Sequence, residues 1–301
     1  MNKVRTSAEG TKYSQPRVRA KRNPGLNSQQ KTISPERAKS TSEELSAKSS
    51  VRISYGNAAS NAFTDLREHI EPLLTPGSRV CDIGGGARPL LSVEEVLSYG
   101  IEYTVLDISP EELEKASGSL RRVLCDLQED LDHAADFESA ASVPLRGQFD
   151  VVFSSTVAEH IGDPRAFHKN IFEMLRPGGY ALHLFPTLPT VPFVLNKILP
   201  ESLSSLLNKL SPVKRQESDK FPAYYRWCVG PTPRAIRRLE ELGWEIIEYK
   251  GYFGHTYYRR FPPLFRLHEW KTVLLEGHPV PGLTNYALVW LRKPLDAFRG
   301  D

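Results

Sequence analysis

Residues 79–86 read Arg79-Val80-Cys81-Asp82-Ile83-Gly84-Gly85-Gly86, an apolar run that carries one acid and stops on three glycines. A short apolar run bounded by glycine reads as a buried strand, and glycines directly behind a strand leave room for a ligand to approach the backbone. Outward from this point the chain alternates. A helical stretch near 57–74 precedes the run, and Leu90–Tyr99 reads as a helix stopped by Gly100. Strands follow at Glu102–Leu106, Arg122–Cys125 and Phe149–Ser154, then at Tyr180–Phe185, Trp244–Tyr249 and Asn285–Leu291.

The helix boundaries between these strands are marked by their chemistry. Ser109-Pro110-Glu111-Glu112 places Ser at the N-cap, Pro at the first helical position and Glu at the third, which predicts a capping box. Asp163-Pro164 opens a helix whose apolar face is Phe167, Ile171, Met174 and Leu175, and Gly178-Gly179 is expected to end it. Thr232-Pro233 opens another, stopped by Gly243. Strand and helix alternating at this spacing predict an α/β fold: a doubly wound, Rossmann-like seven-stranded sheet, mostly parallel. Two stretches lie outside the scheme, at about 186–230 and 251–283, and both are rich in aromatic residues. Connections of that length are lids or unstructured linkers, and the aromatic content favours a lid built from insertions.

A parallel sheet binds its ligand beyond the C-terminal strand ends, where the strand order reverses. The chemistry-bearing residues fall there. Asp82 and Gly84, Gly85 and Gly86 follow the first strand, Asp107 ends the second and Asp126 ends the third. A carboxylate at Asp107 can accept from both hydroxyls of a ribose, and one at Asp126 from an exocyclic adenine amine. An adenosine bearing a cationic amino-acid tail suits that set.

Val80–Gly86, Val105-Leu106-Asp107-Ile108, Leu124-Cys125-Asp126-Leu127, Phe149-Asp150-Val151-Val152 and Leu175-Arg176-Pro177-Gly178-Gly179 together resemble the successive motifs of class I S-adenosylmethionine-dependent methyltransferases, nearest to the type 11, ubiquinone/menaquinone-biosynthesis-like branch. The resemblance covers roughly residues 79–187 and rests on five motifs in order. It implies an antiparallel final strand and S-adenosylmethionine (SAM) as cofactor. It further implies that Asp82 and the glycines flank the methionine part, Asp107 binds the ribose, Ile108 packs on the adenine and Asp126 and Leu127 meet its edge. Ser154–Thr156 would border the methyl-transfer site. His160, just past the fourth strand, is a candidate general base or, equally, a packing residue; His183, inside a strand, reads as core. The sequence departs from the pattern once. The family's loop has a third glycine where this chain has Arg88, followed by Pro89. Arg88 reads either as a surface residue or as a cation for a ligand anion.

Composition bounds the remaining possibilities. Three cysteines, Cys81, Cys125 and Cys228, stand far apart and suggest neither a zinc module nor an oxidised scaffold, so no metal is expected and the expected setting is cytoplasmic. No apolar run is long enough for a transmembrane segment. Residues 1–50 hold 11 Lys/Arg against 4 Asp/Glu, +7, whereas the remaining 251 hold 28 against 32, −4. The tail is poor in large apolar side chains and is expected to be disordered, ahead of a methyltransferase domain spanning 51–301. A targeting or nucleic-acid-binding arm is the alternative for it. The acidic body makes nucleic acid an unlikely partner and a small-molecule acceptor, hydrophobic or aromatic, the expected one; oligomeric state is not readable. The competing enzyme reading is an NAD(P)-dependent oxidoreductase, but its G-x-G-x-x-G fingerprint needs glycine where Pro89 stands. A non-catalytic SAM-binding or scaffold protein is the competing reading outside enzymes.

Overall fold

The computed structural model describes residues 51–56, 59–187, 221–255 and 262–296. These lie within one unit, Ser49–Asp301. All seven expected strands are present and two more join the sheet at its edges. In chain order they are β1 Arg52–Gly56, β2 Arg79–Ile83, β3 Glu102–Asp107, β4 Arg121–Leu124, β5 Ala135–Asp136, β6 Phe149–Ser155, β7 Leu175–Pro186, β8 Glu245–Tyr252 and β9 Tyr286–Arg292. The spatial order is β1-β8-β9-β7-β6-β2-β3-β4-β5. β9 runs antiparallel to β7 and β8, the short β5 antiparallel to β4, and the other pairs are parallel. The chain moves from β2 through β3 to β4 in one direction, then returns to β6 and β7 on the other side of β2. The reversal falls between β2 and β6, where Ile83 faces Ser154 in the register.

The helices are α1 Ala59–Ile70, α2 Val93–Tyr99, α3 Pro110–Lys115, α4 Pro164–Met174, α5 Pro233–Glu240 and α6 Pro262–Gly277. They cover both sheet faces, each of which buries its own apolar cluster. One contains Val152, Phe167, Ile171, Met174, Leu239 and Tyr249; the other contains Leu66, Ile70, Val80, Val105, Leu113 and Phe153. Val151 and Phe153 face the second cluster while Val152 faces the first, the alternation a strand buried on both sides imposes.

Three local expectations change. The capping box closes at Ser92 and Glu95, at the start of α2. Ser109 does cap α3, accepting from Glu112 N at 3.2 Å, but its own N–H donates to Asp107 Oδ1 at 3.0 Å, which removes the donor Glu112 would have taken. Gly178-Gly179 does not terminate α4. The helix ends at Met174, Leu175 is already extended, and the glycines lie within β7. Pro177 disfavours helix at Arg176, so the helix stops before the glycines are reached. Finally, part of the stretch 251–283 is regular: β8 continues to Tyr252 and α6 packs His268, Thr272 and Leu275 inward. Trp270 on the same helix is 64% exposed. Tyr257 and most of 186–230 lie outside the described residues.

Candidate active site

The glycine turn behind β2 closes against the next strand. Gly84 N donates to the Leu106 carbonyl at 2.7 Å, and Gly84 has φ +72°, a left-handed conformation that side-chain-bearing residues avoid. A Cβ at Gly86 would stand 2.7 Å from Asp107 Oδ2 and 2.8 Å from Glu112 Cβ. The loop after β2 and the acid ending β3 therefore touch, and only a residue without a side chain fits between them.

Asp82 is buried and held from within. Its Oδ2 accepts from Tyr103 OH at 2.7 Å and from Leu90 N at 2.8 Å. Burial raises its pKa to about 7, opposed by those two donors. Asp82 thus shapes the loop, pinning its far end at Leu90, rather than offering an open charge. Asp107 is nearly buried at 8% exposure. Burial raises its pKa, and the amides of Ser109 and Ile108 oppose the shift. Ile108 is half exposed beside it, an apolar surface in the position where adenine stacking is expected.

Asp126 and Leu127 begin the loop after β4. Asp126 Oδ1 accepts from Gln128 N at 2.9 Å and Gln128 Nε2 at 3.2 Å, and the Leu127 side chain is buried in the core. Any ligand contact by Leu127 would be through its backbone. Gln128 then reaches across the site: its Oε1 accepts from Gly162 N at 2.7 Å and Asp163 N at 2.9 Å. Asn170 Nδ2 donates to the carbonyls of Leu127 and Glu129 at 2.9 and 2.7 Å. These two amide side chains tie the β4 loop to the start of α4. Sequence reasoning missed both, because a lone Gln and a lone Asn on a helix carry no spacing signal.

At the end of β6, Ser154 is fully buried and its Oγ lies 2.8 Å from His183 Nδ1. Burial, and the neighbouring His168, push the His183 pKa well below its ordinary value, so His183 stays neutral and structural. Thr156 is exposed with φ +57°, a strained backbone at a strand end of the kind that clusters in active sites. His160 follows on a short 3-10 turn, Ala158–His160. Its Nδ1 lies 3.0 Å from the Pro222 carbonyl. A carbonyl can only accept, so Nδ1 is the donor in this pair, while Nε2 lies 3.9 Å from Glu159 Oε1. The chain around 221–227 lies over this turn: Tyr224 N and Tyr225 N donate to the Glu159 carbonyl at 2.7 and 2.9 Å, Phe221 packs edge-on against His160, and Arg226 Nη1 donates to Gly162 O at 2.7 Å.

Residues 56–249 match the family described as a methyltransferase domain. The chain belongs to that family. It is 35% identical over 103 residues to a ubiquinone biosynthesis O-methyltransferase of Psychrobacter cryohalolentis, a match covering 34% of this chain and 38% of the relative. It is 32% identical over 109 residues to a 2-methyl-6-phytyl-1,4-hydroquinone methyltransferase of Synechocystis, covering 35% of this chain and 31% of the relative. The matches thus span well under two thirds of either relative. Among solved structures, a SAM-dependent methyltransferase from Listeria monocytogenes aligns over 78% of this chain and 99% of its own with TM-score 0.49 and 13% identity. No described helix is long and apolar enough to cross a membrane.

Proposed function

We propose that this methyltransferase-family chain transfers a methyl group from SAM to a small-molecule acceptor, at the C-terminal edge of β2, β3, β4 and β6. The observation that carries the reading is the contact at Gly86. A backbone cradle with no room for a side chain lies against a carboxylate, Asp107, that could accept from a ribose. Asp126 stands in the loop after the next strand for the adenine end, and Ile108 supplies an exposed apolar surface beside Asp107. A nicotinamide dinucleotide would share the ribose contact, but the loop residue that should be its third glycine is Pro89.

SAM supplies a sulfonium whose methyl is already activated for in-line displacement. What the chain must add is alignment, and orientation of two bound reactants can lower a barrier by ~7–11 kcal/mol. Thr156 and the 158–160 turn border the place where the methyl would leave, and residues 221–227 close over that turn. His160 is held through Nδ1 on the Pro222 carbonyl, and its Nε2 is the atom we assign to take a proton from a hydroxyl acceptor. The relatives' names, ubiquinone biosynthesis and a phytyl hydroquinone, make an aromatic hydroxyl or quinol ring the acceptor class we favour.

The direct test is calorimetric titration with S-adenosylhomocysteine (SAH) and with NAD. We expect SAH to bind, and Asp107→Ala, folded by thermal melt, to weaken it at least ~10-fold, the loss of a charge-assisted pair of hydrogen bonds. Binding of NAD without SAH, or undiminished SAH affinity in the variant, would remove the assignment.

A further inference from the structure

Arg88 is unaccounted for by everything above, and its position is unusual: it takes the place of a loop glycine at the rim of the cofactor cradle. Arg88 N donates to the Gly85 carbonyl at 2.7 Å, which closes a tight turn and starts the arginine side chain one turn away from Gly84–Gly86. The side chain is exposed. Among the described residues it pairs with no carboxylate. Its neighbour across the loop, Arg67, is committed: Nε donates to Glu71 at 3.0 Å, Nη2 pairs with Glu95, and Nη1 reaches the Leu90 carbonyl at 3.5 Å.

The surroundings explain what a free guanidinium would do here. Asp107, Glu112 and Asp126 bring carboxyl groups to this edge, which suit a sulfonium and an ammonium better than a carboxylate. Asp82 is turned inward onto Tyr103 and Leu90. The loop's own amides are partly used as well: those of Gly84, Arg88 and Leu90 are bonded inside the protein, and Pro89 has none. A ligand with an α-amino-acid end therefore finds few backbone donors for its carboxylate at the outer half of the loop. A guanidinium there offers a planar fork that matches a carboxylate.

Resting on the methyltransferase reading, we infer that Arg88 binds the α-carboxylate of the methionine part of the cofactor, doing with a side chain what a loop with glycine at this position leaves to backbone amides. The test is a double-mutant cycle in which the guanidinium and the carboxylate are each removed. Wild type, Arg88→Ala and Arg88→Lys are titrated with SAH and with its decarboxylated analogue, S-adenosyl-3-thiopropylamine. Arg88→Ala is expected to weaken SAH by roughly 10- to 100-fold and to leave the analogue within about two-fold, with Arg88→Lys restoring part of the SAH affinity. An equal loss for both ligands, or no loss for SAH, overturns the inference while leaving the cofactor assignment standing. If SAH affinity is unchanged and the acceptor KM alone rises, Arg88 serves an acceptor anion and the inference is wrong. Failure of wild type to bind either adenosyl ligand removes the methyltransferase reading itself, and with it this one.

Discussion

The most informative single group is the Asp82 carboxyl, because its neighbours assign it a structural task. Both of its hydrogen bonds reach the same oxygen, Oδ2, from Tyr103 OH and Leu90 N, so an asparagine with its amide oxygen in that place keeps them. The native pKa is raised to about 7 by burial, against about 4 in an unfolded chain. Between those values the folded protein holds a proton that the unfolded chain releases, so stability falls as pH rises through the window and an ionised, buried carboxylate costs stability above it. Asp82→Asn should thus gain on wild type as pH increases, by about 1 kcal/mol or more from pH 5 to pH 8. Urea titrations at the two pH values measure this. Parallel pH profiles for the two proteins would show that Asp82 does not titrate with folding. The sequence singled out Asp82 beside the glycine turn as a residue for the cofactor, but its partner Tyr103 stands 21 positions on. Nothing in the spacing said that the tyrosine hydroxyl would occupy the acid.

At the scale of elements, the strands were legible and their extensions were not. β3 and β6 were readable because each is a largely apolar run with a polar residue at its C-terminal end, as in strands buried on both faces, and β2 because its apolar run stops on glycines. β1, Arg52-Ile53-Ser54-Tyr55-Gly56, carries no such run. It exists because it pairs in parallel with β8, and what holds that edge is polar. Glu248 of β8 accepts from Ser54 Oγ at 2.5 Å and lies 3.3 Å from His69 Nε2 of α1 and 3.7 Å from Arg52 Nε. His69 is anchored in turn by the Asp65 carbonyl at 2.6 Å and packs edge-on against Trp290. Glu248 is drawn down to about 2, first by His69, and His69 is raised, first by Glu248.

The two shifts define a window for this link. The histidine's contribution is full below its unfolded value of ~6.5 and is lost as pH rises through its raised native value; the glutamate's is full above ~4.5 and is lost as pH falls toward 2. His69→Phe, which keeps a ring against Trp290 but has no donor, should therefore be destabilised most near pH 5–6, with the deficit shrinking as pH rises through the raised native value of His69. Thermal melts across that range decide it, and a deficit independent of pH would mean that the ring packs without holding charge.

The whole molecule divides by charge where its sequence divides by composition. Residues 1–50 carry +7 and the other 251 carry −4. Among the described residues, which begin at 51, both apolar clusters and the nine strands belong to the acidic part. What was not readable is how the remainder spends its aromatic residues. Phe253 and Tyr252 are wholly buried while Trp270 is left out in solvent, since burial along α6 follows the face that meets the chain just after β8, where Thr272 Oγ1 donates to the Phe253 carbonyl and His268 Nε2 accepts from His255 N, and not which side chain is largest.

Removal of residues 1–50 should accordingly leave the melting temperature within about 2 °C and SAH affinity within about two-fold, because no described buried contact is lost. The same deletion reverses the sign of the net charge, from +3 for the full chain to the −4 of the body. The truncated protein should bind an anion exchanger near pH 7.5, where the full chain passes through. A drop in melting temperature of several degrees would show that the basic segment is part of the folded unit. Unchanged stability and SAH binding with a raised acceptor KM would instead assign the segment to capturing an acidic acceptor or an anionic surface, through a field that 150 mM salt should largely screen.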